Sequence, residues 1–218
     1  MKQIKWQYTI GEIIIVMIGI TLAFGLNNLK DNLQEDQNKR QYLEHLLIDL
    51  KEERQQLESL NQAFEQKIQA VRDIRPHLGN PMPGRDTVIR KFFFLAEALH
   101  FTPEQTAYQT MINSGDLKLI DDFELRRHIE AHYNGHTEVQ NNYRRLENIY
   151  TKYLADFFIF NLDYGALLEG DARFLDHPTV KGITASLEGS FNFAVQANTN
   201  CLESNQALTE LVQVALRH

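Results

Sequence analysis

The chain has 218 residues, 43% of them hydrophobic and 23% charged, the proportions of a folded protein and not of a disordered one. A formal net charge of −7 excludes a broad basic surface for nucleic acid, and the single cysteine, Cys201, excludes an intrachain disulfide framework and a zinc cluster built from cysteines. Five prolines and eleven glycines are few for an all-β chain with its many turns, and point to helix.

The first predicted element is apolar. Between Ile10 and Leu26 the only ionisable residue is Glu12. At about 1.5 Å per residue that run reaches roughly 25 Å as a helix, the lower limit for crossing a bilayer. Trp6 and Tyr8 precede it, where amphipathic rings favour the headgroup layer. Lys2 and Lys5, with Ala23-Phe24-Gly25 further on, also match the basic head and small-residue cleavage site of a signal peptide. Glu12 falls inside the apolar stretch such a signal needs, and the run flows into a helical pattern without a break, so an uncleaved anchor is expected. A short basic head places the N-terminus in the cytosol and the bulk of the chain across the membrane, in the periplasm of a Gram-negative cell. Gly19 and Ala23 form a small-xxx-small pair that lets two spans approach closely. Glu12 either snorkels to the interface or makes a polar contact with a partner span.

From Asn27 to Arg75 there is no proline or glycine. Leu43, Leu47, Leu50, Leu57, Phe64, Ile68 and Val71 mark one face at heptad-like spacing, with Leu46 and Leu60 widening it and Arg54 and Asn61 interrupting it. The pattern predicts one long helix that leaves the membrane and continues as a stalk, solvated between Leu29 and Tyr42. Its stripe packs either on later helices of the same chain or in a parallel coiled coil between subunits; the interruptions favour the former.

Pro76 ends the helix, and the segment around Gly79, Pro81, Pro83 and Gly84 reads as a connector. A second helix is expected over about 87–100. Thr102-Pro103-Glu104-Gln105 then reads as a capped start with proline at the first helical position, for a helix stopping near Ser114-Gly115. Asp121 or Asp122 caps the next. Leu125, Ile129, His132, His136, Val139, Tyr143, Leu146, Tyr150, Tyr153 and Phe157 alternate in steps of four and three, which predicts a long amphipathic helix over about 122–161, with a possible break at Asn134-Gly135. The stretch 163–189 is irregular, and a final helix is expected over about 190–216, with Ala194, Cys201, Leu208, Val212 and Ala215 on one side.

Chemistry is sparse. His128, His132 and His136 fall at i, i+4 and i+8, and imidazoles four apart can share a zinc ion, but the zincin glutamate is missing after His128. Histidines satisfied by hydrogen bonds in a helix interface explain them better, so no metal or other cofactor is expected. Cys201 is read as a small hydrophobe on its helix's apolar line, and Glu52-Glu53 as a solvated pair on the stalk. Phe157, Phe158 and Phe160 with Tyr150 and Tyr153 read as core, or as a pocket wall with 164–170 for a lid. No nucleophile elbow, phosphate loop or dinucleotide fingerprint occurs.

The run Tyr8-Thr9-Ile10-Gly11-Glu12-Ile13, the Ile18-Gly19 pair, and Asn27-Asn28 at the exit of the span, together with Ser114-Gly115-Asp116-Leu117-Lys118-Leu119-Ile120, resemble an uncharacterised family of single-span membrane proteins typical of Bacteroidota, the domain of unknown function 6090 family. Here Phe24-Gly25-Leu26 and Leu29 depart modestly from its pattern. The resemblance implies an inner-membrane anchor with a helical domain, and brings no known activity and no catalytic residues.

The expected fold is all-α: a head over residues 1–9, a transmembrane helix over 10–26, a stalk over 27–75 and a helical extramembrane domain over 76–218. The expected function is that of a membrane-anchored interaction protein and not an enzyme, self-associating or serving another envelope protein. Its partners would be the lipid bilayer and protein, not nucleic acid. A ligand-binding sensor is the alternative, and a His-dependent metalloenzyme the third reading.

Overall fold

The computed structural model of the chain describes residues 6–217. The basic head expected at Lys2 and Lys5 lies outside the described residues, as do the side chains of Trp6 and Tyr8. The fold is 85% helical, with no strand among the described residues.

One helix, α1 (Trp6–Ile74), runs unbroken for 69 residues, a length of about 100 Å. Leu, Glu, Gln, Lys and Arg dominate beyond residue 27, and all are strong helix formers. Its environment changes along the way. Residues 12–37 are exposed, including the apolar side chains from Ile13 to Leu29. From Leu43 onward α1 is the central member of a bundle. The buried line is Leu43, Leu46, Leu50, Glu53, Leu57, Leu60, Phe64, Lys67, Val71 and Ile74, a steady alternation of three and four residues. Ile68 is also buried, whereas Leu47 is only half-buried: the seam runs through Leu46, one residue over from the expected line. This seam packs on helices of the same chain.

Helix α2 (Arg85–Leu95) stops before the expected His100. The Lys67 ammonium donates to the Phe94 carbonyl and lies 4.4 Å from the centroid of the Phe94 ring, so it closes the C-terminus of α2 from α1. Helix α3 (Thr106–Ser114) begins after Gln105, not at the expected Thr102-Pro103 cap. Its opening amide, Ala107 N–H, donates to Asp49 of α1 at 2.8 Å, so a carboxylate from across the fold replaces the local cap. It ends at Gly115, whose φ of 76° is the left-handed turn glycine accepts without a Cβ clash.

Asp122 caps α4 (Phe123–Ile149) by accepting from Glu124 N–H and Leu125 N–H. Asn134-Gly135 does not break it. A single π turn (Tyr150–Leu154) joins α4 to α5 (Ala155–Phe160). That turn adds one residue to the repeat, so Leu154 takes the core position expected of Tyr153, which is 58% exposed. Phe157 stays in the core, while Phe160 faces solvent. Short α6 (Tyr164–Leu168) leads to α7 (Pro178–Ala215), which starts twelve residues before the expected Ser190. His177 accepts from Thr179 N–H, and Pro178 occupies the first helical position, a strong start signal that outweighs Gly182 and Gly189. Val180, Ile183 and Leu187 then bury one face.

Helices α1, α4 and α7 form the bundle, with two apolar clusters along its axis. The nearer to the exposed end of α1 joins Leu43, Leu46 and Leu50 to Met111, Ile129, Leu208 and Val212. The farther joins Leu57, Phe64 and Val71 to Phe92, Leu146, Phe157, Leu187 and Phe191.

Lys67 yields a pH test. Only 1% of its surface is exposed, and burial pushes its pKa down to about 8 against the opposing pull of Glu97. The folded state therefore holds this proton less tightly than the unfolded chain, so stability rises with pH from about 8 toward the ordinary lysine range. In urea titrations of the detergent-solubilised protein, the midpoint of the parent should gain on that of Lys67→Met across this window. Parallel pH profiles would refute the assignment.

Candidate functional site

The two apolar clusters are separated by a polar layer. Each helix of the bundle contributes to it at a position its heptad line assigns to the core: Glu53 from α1, His132 and His136 from α4, Cys201 and Asn205 from α7. All five are buried, and Glu53 and Asn205 have no exposed surface. The sequence placed Glu53 on a solvated stalk face and Cys201 on an apolar line; the fold brings both to the same point as the two histidines.

Glu53 is the hub. His132 Nε2 lies 3.2 Å from its carboxylate, and Asn205 Nδ2 and Cys201 Sγ each lie 3.4 Å from Oε1. His136 Nε2 sits 3.0 Å from Oε2. That contact is close but poorly aligned, and neither ring nitrogen of His136 has a hydrogen-bond partner. Burial alone would raise the Glu53 pKa, but the two imidazoles that face it, His132 and His136, outweigh it and hold the carboxyl down at about 2. Burial, then the Glu53 charge, pushes the Cys201 thiol well above its ordinary range, so this cysteine is a poor nucleophile.

A second ring of contacts orients the first. Ser204 Oγ is 3.1 Å from His132 Nδ1. Asn205 donates to the Leu50 carbonyl at 2.8 Å, and Arg54 donates to Asn205 Oδ1 at 3.1 Å. Arg54, which interrupts the stripe in sequence, thus fastens the polar layer from its rim. Tyr133 stacks on Tyr108 at 4.3 Å between centroids and shields His136 from the α3 side.

Of the three histidines at i, i+4 and i+8, His128 stays outside. It lies one turn nearer the start of α4, partly exposed, with Nδ1 2.8 Å from the Glu124 carbonyl oxygen. Glu12, Gly19 and Ala23 all lie on the exposed stretch of α1. The pocket imagined behind 164–170 does not enclose Phe157, which is packed in the core; Ala166 and Leu167 instead line an open depression with Asp171, Arg173 and His177.

What the layer can do follows from its groups. A carboxylate, two imidazoles and a thiol converge from three helices in a dry interior. As hydrogen-bond partners they fix the axial register of α1 against α4 and α7, because sliding by one turn would bury an unpaired charge against leucine. As Lewis bases they could hold a metal ion.

A family model described as a family of unknown function (DUF6090) matches residues 12–158. The match spans the exposed apolar stretch and includes Glu53, His132 and His136, with Cys201 beyond its end. No curated protein and no solved structure matches the chain. Since the matched segment makes up more than half of its length, the chain belongs to this family of unknown function.

Proposed function

We propose that the protein is a membrane-anchored interaction protein of the cell envelope, working as a homo-oligomer or as an accessory subunit, and not an enzyme. One observation carries the reading. From Glu12 onward the apolar stretch of α1 is exposed, with a mean hydropathy of 1.8 and none of it buried, and the same unbroken helix becomes the centre of the bundle. An exposed apolar helix in water is unfavourable by about 25 cal/mol per Å² of apolar surface, and a bilayer removes that cost. The arrangement holds the bundle at a set height above the lipid. From Leu26 to Leu43 the helix advances roughly 25 Å. Gly19 and Ala23 then lie where two spans would pack, with Glu12 near one membrane surface. The chain is read as inner-membrane and single-pass, with its N-terminus cytosolic and the bundle periplasmic.

Fractionation tests the anchor. The full chain should sediment with membranes, resist salt extraction and dissolve only in detergent. Ile15→Arg with Ile18→Arg adds about 2.5–3.5 kcal/mol per arginine at mid-span and should shift the protein to the supernatant. Parent protein in the supernatant without detergent would overturn the reading. The mass of the detergent-solubilised particle tests association: more than one chain per particle, falling to one with Gly19→Leu and Ala23→Leu, supports the homo-oligomer.

A further inference from the structure

We propose that Glu53, His132, His136 and Cys201 form a structural zinc site that ties together the three helices of the bundle.

The donor set comes first. One carboxylate oxygen, two imidazole nitrogens and one sulfur all lie within 4.8 Å of one another, and all four residues are buried. Tetrahedral zinc, with bonds of about 2.0–2.3 Å, spaces its ligands roughly 3.3–3.8 Å apart. The closest pairs here, His136 and His132 at 3.0 and 3.2 Å from Glu53 Oε2 and Cys201 at 3.4 Å from Oε1, already fall near that spacing, and the wider ones close by small rotations about side-chain bonds. His132 and His136 stand one turn apart on the same face of α4, the spacing at which two imidazoles reach one ion.

Charge is the second argument. Without an ion, Glu53 brings a carboxylate into a dry interior faced by two imidazoles, an amide and a thiol. Zinc with Glu53 and a Cys201 thiolate sums to zero, with both histidines neutral. The thiol proton leaves to solvent as the metal–sulfur bond forms, so the exchange is balanced.

Third, His136 is almost fully buried, yet neither ring nitrogen has a hydrogen-bond partner. Buried imidazoles are otherwise paired, and a metal bond satisfies this one. The outer contacts fit as well. With His132 Nε2 on the metal, its Nδ1–H donates to Ser204 Oγ, and Asn205 holds the carboxylate.

The ligand types select the ion. Thiolate and imidazole disfavour calcium and magnesium. A hard carboxylate in the fourth place, where copper electron-transfer sites carry a weak and distant ligand, favours zinc. With every ligand buried, the site is closed in the manner of structural sites and not of catalytic ones.

The experiment uses the full chain in detergent, stripped with chelator and titrated with zinc alone, then with cobalt as a spectroscopic substitute. One equivalent should bind per chain, and cobalt should show tetrahedral ligand-field bands with a thiolate charge-transfer band that Cys201→Ser abolishes. His136→Asn should weaken zinc binding at least tenfold, Ser204→Ala about tenfold, and His128→Ala not at all. Should His136→Asn fail to fold, the cobalt spectrum of the parent decides alone. A folded parent that binds no zinc saturably, a cobalt spectrum without the thiolate band, or stoichiometric iron or copper in place of zinc would each overturn the proposal.

Discussion

Glu53→Ala should destabilise the chelator-treated protein by about 3–5 kcal/mol, one of the two largest losses expected from a single substitution. The carboxylate is fully buried and takes contacts from His132, His136, Cys201 and Asn205, which belong to the two other helices of the bundle. Removing it takes the acceptor from His132 and Asn205 in a dry interior, and opens a gap between the two apolar clusters. In a domain of this size the melting temperature should fall by roughly 6–20 °C. Glu53→Gln keeps the volume and one acceptor oxygen, so it should lose less, about 1–3 kcal/mol. Equal losses for Gln and Ala would mean that the whole effect lies in the charge, and that the retained volume and acceptor contribute nothing. A third variant separates the network from its parts. Glu53→Leu with His132→Leu and His136→Met removes the carboxylate and both imidazoles while Asn205 keeps the Leu50 carbonyl and Arg54, and should recover much of what Glu53→Ala loses, because an apolar layer of similar volume is no less stable than a buried ionic one.

The same residue shows how far the sequence could be read. All-α architecture, a long exposed apolar stretch near the start, and helix ends at Pro76, Gly115 and Asp122 are written in local signals, and local signals survive folding. Two neighbouring heptad lines fit the long helix equally well by spacing. The line through Leu47, Arg54 and Asn61 puts its polar residues at the edge. The line through Leu46 puts Glu53 and Lys67 inside, and that is the one the fold uses. Charged residues at core positions look like errors until their partners are known, and the partners are some eighty and a hundred and fifty residues away. The available clue was the coincidence itself: Glu53 on one clean heptad line, His132 and His136 on another, Cys201 on a third. Asp49 at the start of α3 and Lys67 at the end of α2 illustrate the same limit, since each helix end is closed from another element. Tyr153 shows a different one. A π turn is a one-residue insertion in the repeat, and nothing in the spacing before it announces the change.

Phe64 and Phe160 turn this into a comparison between two residues of the same type. Phe160 follows an apolar run in sequence and reads as core, whereas Phe64 stands among polar residues on a heptad line. Phe64 has no exposed surface, and its ring meets Tyr143 at 5.6 Å and Phe191 at 5.7 Å, so it joins α1, α4 and α7 at one point in the farther cluster. Phe64→Ala should cost about 3–5 kcal/mol, the transfer energy of the ring plus the cavity that three packed helices cannot close. Phe64→Leu retains most of the volume but loses the ring pairs, each of which contributes about 0.5–1.5 kcal/mol, and should fall well short of the alanine loss. Phe160 is 76% exposed, and Phe160→Ala should change stability by no more than about 0.5 kcal/mol. Urea titration of the bundle's helicity measures all three. A loss at Phe160 to match that at Phe64 would mean that the end of α5 is covered in the protein, and the register shift at the π turn would have to be withdrawn.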